Sequence, residues 1–127
     1  MKRKFVSDTH KERFTTMIIE DDMSPCDVER ASLFYIISCN EDLYRKRRYI
    51  YDTYEHCIRT CLDNTEVDFS SGMKSLIRLG FNLYNGWSDR YTTPMSLLGS
   101  LDNRNLQLAG NAIMTRFNSN FREGLLQ

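Results

Sequence analysis

The densest group of chemistry-bearing side chains is Arg45-Lys46-Arg47-Arg48, flanked by Tyr44, Tyr49 and Tyr51. Guanidinium groups neutralise phosphates and aromatic faces stack on bases, so the combination points to a nucleic-acid or nucleotide surface. Four consecutive residues spread around a helix, however, and only Arg45 and Arg48 share an edge. The competing reading is a solvated helix face with Glu41 and Asp42 as charge partners. A second group is Glu20-Asp21-Asp22, placed where a helix is expected to end. Negative charge there opposes the helix dipole, which marks these acids as a candidate interaction surface, with plain solvated acids as the simpler account. A third group is Asn82, Asn85, Trp87 and Tyr91. Buried amides must be hydrogen-bonded, and here they would tie the loop after Gly86 to the last helix; exposed in a groove, the same residues suit a peptide or a base.

Enzyme and cofactor chemistry finds less support. Cys57 and Cys61 stand one helical turn apart and could share a metal, but His56 points away from them, and Cys26 and Cys39 would have to come from other blocks to complete four ligands. Buried thiols are the preferred reading of all four cysteines, and no metal is expected. Ser70-Ser71-Gly72-Met73-Lys74-Ser75 echoes a phosphate loop, but Met73 separates the glycine from the lysine and no first glycine stands at the required distance, so a serine-capped helix start is expected instead. His10 and His56 are the only histidines, and neither has a motif partner for nucleophilic catalysis. No catalytic residue and no cofactor is therefore expected.

The elements that must position these residues read as helices. Thr9-His10-Lys11-Glu12 has the form of a capping box and opens a helix to about residue 21. Ser24-Pro25 opens a second, to about Ser38, that is apolar all round and so central. Asn40 caps a third that runs to about Leu62, with stripes at Leu43, Ile50, Tyr54, Cys57 and Cys61 and, beside them, Tyr44, Tyr51, Ile58 and Leu62. Ser70-Ser71-Gly72 opens a fourth, closed by Gly86, in which Gly80 permits close helix approach. Thr93-Pro94 starts a short fifth over Met95 to Leu101. Asp102 or Asn103 caps the last, whose inward face is Leu106, Ala109, Ile113 and Phe117, with Leu108 and Ala112 beside it. The 127 residues, 41% hydrophobic and 12% aromatic, suffice for one core, so the expected fold is all-α, a compact single-domain bundle of five to six helices with short flexible termini at about 1–7 and 119–127.

Charge and targeting signals bound the partners. Seventeen basic and seventeen acidic residues give a net charge of zero, so attraction to nucleic acid or lipid must come from a local patch. Ser7 through Arg13 is polar where a signal peptide would be apolar, and the longest strongly apolar run, Leu33 to Ile37, is too short to span a bilayer. A cytoplasmic protein without membrane contact is expected, and in that reducing setting no disulfides.

Three segments carry a resemblance: Leu33-Phe34-Tyr35-Ile36-Ile37-Ser38 with Asp42-Leu43-Tyr44; Ser70-Ser71-Gly72 through Phe81-Asn82-Leu83-Tyr84-Asn85-Gly86; and Leu101-Asp102 with Asn105 and Ala112-Ile113-Arg116-Phe117. Together, over roughly residues 14 to 117, the chain resembles an uncharacterised family of small proteins carried by prophages and mobile elements of Gram-positive bacteria. The resemblance implies a genomic setting and assigns no functional residue. Small phage proteins without enzyme motifs are often inhibitors of host defence. The leading expectation is therefore a non-enzymatic protein that binds and inhibits a host protein, such as a defence nuclease complex of the CRISPR kind. The alternative is a nucleic-acid or nucleotide-binding regulator that uses Arg45, Lys46, Arg47 and Arg48.

Overall fold

The computed structural model describes residues 5–24, 27–59, 61–63, 66–118 and 120. Its described elements are six α-helices, one 3-10 turn and a two-stranded hairpin. In α1 (Asp8–Asp21) the Ser7 hydroxyl accepts from the His10 amide, so the cap lies two residues before the expected Thr9. Asp22 closes the helix in the left-handed region, φ 49°, with its N–H on the carbonyls of Ile18 and Ile19. His10, Phe14, Met17 and Asp21 recur at helical spacing along the buried face.

α2 (Val28–Cys39) is capped by Asp27, whose carboxylate accepts from the Arg30 amide. The proline start expected at Pro25 lies outside the described residues. Every residue from Ala31 to Ser38 is buried, because α2 runs through the middle of the bundle against α1, α4 and α6. Phe5 also belongs to this core; its ring lies 5.9 Å from that of Tyr35 and 5.0 Å from that of His10.

The expected third helix is much shorter. Asn40 does cap α3 (Glu41–Arg45), accepting from the amides of Asp42 and Leu43, but the helix stops at Arg45. A 3-10 turn (Arg47–Tyr49) and an antiparallel pair, β1 (Tyr51–Asp52) and β2 (Cys57–Ile58), replace the other turns, with Tyr51 opposite Ile58 and Asp52 opposite Cys57. Turn chemistry overrides the helical stripe here. The Asp52 carboxylate accepts from the amides of Tyr54 and Glu55, and His56 takes φ 55°, so the chain reverses. Ile50 and Tyr51 still reach the core, whereas Tyr54 and Cys57, expected on a buried stripe, are exposed.

α4 (Ser71–Asn85) starts and ends as expected, with Ser70 capping the Met73 amide and Gly86 at φ 80° closing it. Gly80 faces α2 so closely that a Cβ there would stand 2.8 Å from Leu33 Cδ1. α5 (Pro94–Leu98) has Thr93 as cap and proline in its first turn, and ends three residues before the expected Leu101. α6 (Asn103–Phe117) is capped by Asp102, but it is rotated from the expected orientation. Leu108, Ala109, Ala112 and Thr115 are buried, while Leu106, Ile113 and Phe117 are 44%, 36% and 70% exposed. Two bonds fix this rotation: Asn111 donates to the Tyr35 hydroxyl at 3.1 Å and Arg116 Nε to the Leu83 carbonyl at 2.9 Å. The fold is an all-α single-domain bundle carrying one small hairpin. Among the described residues, no helix is long and apolar enough to cross a membrane.

Candidate functional site

The C-terminal end of α1 organises the surroundings of the basic segment. Asp21 is not a surface acid. Its side chain is fully buried, and its carboxylate accepts from Arg30 Nη1 at 2.6 Å, the Tyr51 hydroxyl at 3.2 Å and His56 Nδ1 at 3.0 Å. A buried carboxylate is tolerable only with such a full set of donors. Burial, then the nearby Asp21 charge, push the Tyr51 phenol well up, so it stays protonated and donates. Burial pulls the Arg30 guanidinium down, but the bond to Asp21 together with the nearby charges of Tyr51, Asp27 and Asp21 holds Arg30 above its ordinary value. Tyr84 donates to the His56 carbonyl, so side chains of α1 and α4 fasten the hairpin by its tip.

Glu20, one residue earlier, takes Arg47 in a two-pronged pair at 3.1 and 2.8 Å. That bond is the main reason the Arg47 guanidinium sits above its ordinary value. Arg47 also lies 4.1 Å from the centre of the Tyr44 ring and donates to the Tyr44 carbonyl. Lys46 is committed too, to Asp42 and to the Asp68 carbonyl; its bond is the leading cause that holds the Asp42 carboxyl below the usual range. Asp22 caps α1 and is exposed. Two members of the expected acidic surface are thus internal partners of the basic segment and of the hairpin.

The remaining arginines converge. Arg45, Arg47, Arg48 and Arg59 line a cleft of about 490 Å³, with Met17, Phe34 and Tyr51 as its apolar lining and Glu20, Asp52 and Thr53 completing it. Glu20 is neutralised by Arg47, and the Asp52 carboxylate is occupied by its own turn. Arg45 meets Asp42 at 3.0 Å from a side chain that is 71% exposed. Arg48 and Arg59 make no ion pair with a carboxylate among the described residues, although after the Glu55 and Tyr54 amides the Arg59 charge helps to hold the Asp52 carboxyl below its usual range, and Arg59 Nη1 donates to the Arg48 backbone carbonyl at 3.3 Å. Such convergence suits an anion.

With this geometry in view, one comparison places the chain. A family model matches residues 1–126. The chain belongs to the family of unknown function DUF6075. No curated protein and no solved structure matches it.

The other sequence candidates make local contacts around the end of α4, with Asn85 and Tyr91 exposed. Asn82 Nδ2 donates to the Trp87 carbonyl at 3.1 Å and Asn85 Oδ1 accepts from the Trp87 amide at 3.0 Å, so the amides tie α4 to its own following loop rather than to the last helix. Trp87 packs edge-on against Phe81 at 5.4 Å. Tyr91 lies under the guanidiniums of Arg78 and Arg90 at 5.0 and 4.8 Å. The four cysteines are not uniformly buried: Cys61 is buried, Cys39 partly so, Cys57 exposed, and Cys26 lies outside the described residues. Burial pushes the Cys39 thiol up to about 12 and that of Cys61 to about 11, so neither is a thiolate at neutral pH. Among the described residues no group of three His, Cys, Asp or Glu could hold a metal ion. Arg59, Arg30 and the Asp21–His56 pair escaped the sequence reading, since only the hairpin brings them together.

Proposed function

We propose that this is a non-enzymatic binding protein whose arginine-lined cleft takes a phosphate-bearing ligand, nucleic acid or nucleotide. The observation that carries this reading is the convergence of Arg45, Arg48 and Arg59 on one concavity while Arg47 and Lys46 are consumed by internal bonds. The resemblance to prophage and mobile-element proteins of Gram-positive bacteria supplies the setting, the cytoplasm of a bacterial host. The test is anisotropy of a labelled oligonucleotide across a salt series. Three phosphate contacts predict that log affinity falls with log salt at a slope of about −2 for a single strand. Replacing Arg45, Arg48 and Arg59 together with Ala is expected to remove both the binding and the slope, while leaving Lys46 and Arg47 to hold the fold. Undiminished binding by that variant contradicts the reading.

A second reading, inhibition of a host protein such as a CRISPR-type defence nuclease complex, is favoured by α6. Leu106, Ile113, Met114 and Phe117 leave an exposed apolar stripe along it, where lone exposed apolar residues would need no explanation. Its test is a nuclease-treated pull-down, with a stoichiometric partner retained by the wild type and lost by Ile113→Asp with Phe117→Asp. A partner held equally by that variant speaks against the stripe.

A further inference from the structure

The cleft's shape and neighbours narrow the ligand, on the premise that the cleft reading holds. Basic surfaces that follow a duplex project toward its phosphates, whereas these arginines ring a concavity with an apolar lining. Phe34 and Tyr51, at 0% and 2% exposure, belong to the core that forms its floor. A hollow of about 490 Å³ falls within the size range of small-ligand sites and holds a group of nucleotide dimensions, not a double helix.

The rim adds an aromatic platform. Tyr54 is 87% exposed and stands at the hairpin tip, next to Thr53 of the cleft wall. A large side chain so exposed does no packing work. The turn that bears it is nonetheless held rigidly, by the Asp52 carboxylate on the Tyr54 and Glu55 amides and by the bond of His56 to buried Asp21. A bare aromatic ring on a turn anchored in this way, one residue from the cleft wall, suits base stacking, which tolerates any base because each has a π-face. Arg48 of the cleft already lies 5.2 Å from the centre of the Tyr49 ring, an aromatic and guanidinium pair of the kind that stacks with bases.

We infer that the cleft takes one unpaired nucleotide of a single-stranded nucleic acid, its phosphate on Arg48 and Arg59 and a neighbouring base on the ring of Tyr54. A free nucleotide shares the phosphate chemistry but cannot use Tyr54 and the cleft at once if the two take successive residues.

Anisotropy with a labelled single strand of about ten nucleotides, the matching duplex, and an unlabelled nucleoside monophosphate as competitor tests this in the full-length protein. The single strand is expected to bind well above the duplex, and the monophosphate to compete only weakly. Tyr54→Ala is expected to weaken single-strand binding by about 5- to 150-fold, and Tyr54→Phe to restore it, since the ring rather than the hydroxyl does the stacking. Because Tyr54 is exposed, neither change endangers the fold. Equal binding of duplex and single strand, equal competition by the monophosphate, or Tyr54→Ala binding like wild type each overturns the single-strand assignment. Indifference to Arg48→Ala with Arg59→Ala, or no binding of any probe, overturns the cleft reading beneath it as well.

Discussion

Asp21 and His10 are both buried polar groups on the inner face of α1, and they solve the problem of burial differently. Asp21 gathers Arg30, Tyr51 and His56 as hydrogen-bond donors around its carboxylate. His10 gives its charge up. The Val6 amide donates to Nδ1 at 3.2 Å, which leaves the proton on Nε2 to be donated to the Tyr35 carbonyl at 2.9 Å. Burial, partly offset by that carbonyl and reinforced by Arg104 and Arg13, lowers its pKa from 6.5 to about 4. The unfolded chain therefore takes up a proton below pH 6.5 that the folded chain refuses until about pH 4. The stability is whole above pH 6.5 and drains as pH falls through that window, by about 3 kcal/mol in all. Urea denaturation of wild type and His10→Gln at pH 7 and pH 4.5 should show the variant less stable at pH 7 and the gap narrowing in acid. A gap that stays constant between those pH values contradicts the neutral, buried imidazole.

At the scale of elements, two glycines in helix interiors separate packing from propensity. Gly80 lies against Leu33, while nothing stands within 4 Å of a Cβ built at Gly110. Gly110→Ala should stabilise by about 1 kcal/mol through helix propensity alone. Gly80→Ala should lose that gain or fall below wild type, because an overfilled contact costs about 1–3 kcal/mol and Leu33 is wholly buried. Thermal and urea denaturation of the two variants compare them directly, and an equal gain at both positions would show that α4 and α2 do not meet closely at Gly80. The role of Gly80 was legible from one glycine in an apolar run, and so were the caps at Asn40, Ser70, Thr93 and Asp102, because caps and glycines act through neighbours in sequence. The hairpin was not legible. Apolar residues from Leu43 to Leu62 fit a helical period, and nothing local weighs that period against the turn that Asp52 and His56 make. The rotation of α6 was hidden for a related reason: Leu106 and Leu108 are equally apolar, and the bonds of Asn111 and Arg116 to α2 and α4 decide which of them turns inward.

For the whole molecule, a net charge of zero conceals an uneven distribution. Glu20 and Asp21 at the end of α1 are paired or drawn inward, and this leaves Arg48 and Arg59, with the largely exposed Arg45, as the outward charge of one face. The basic run was visible in the sequence as a string of four. What the fold changes is its membership, since Lys46 and Arg47 turn to internal work and Arg59 joins from the far side of the hairpin. The apolar stripe of α6 is the competing surface, built from Leu106, Ile113, Met114 and Phe117. The measurement that tests the cleft most directly is a two-dimensional amide NMR titration of the protein with a short single strand at low salt. The account predicts shifts gathered at Arg45, Arg48, Tyr51, Thr53, Tyr54 and Arg59, fading as salt is raised. Shifts confined to α6, or none at all, would contradict it.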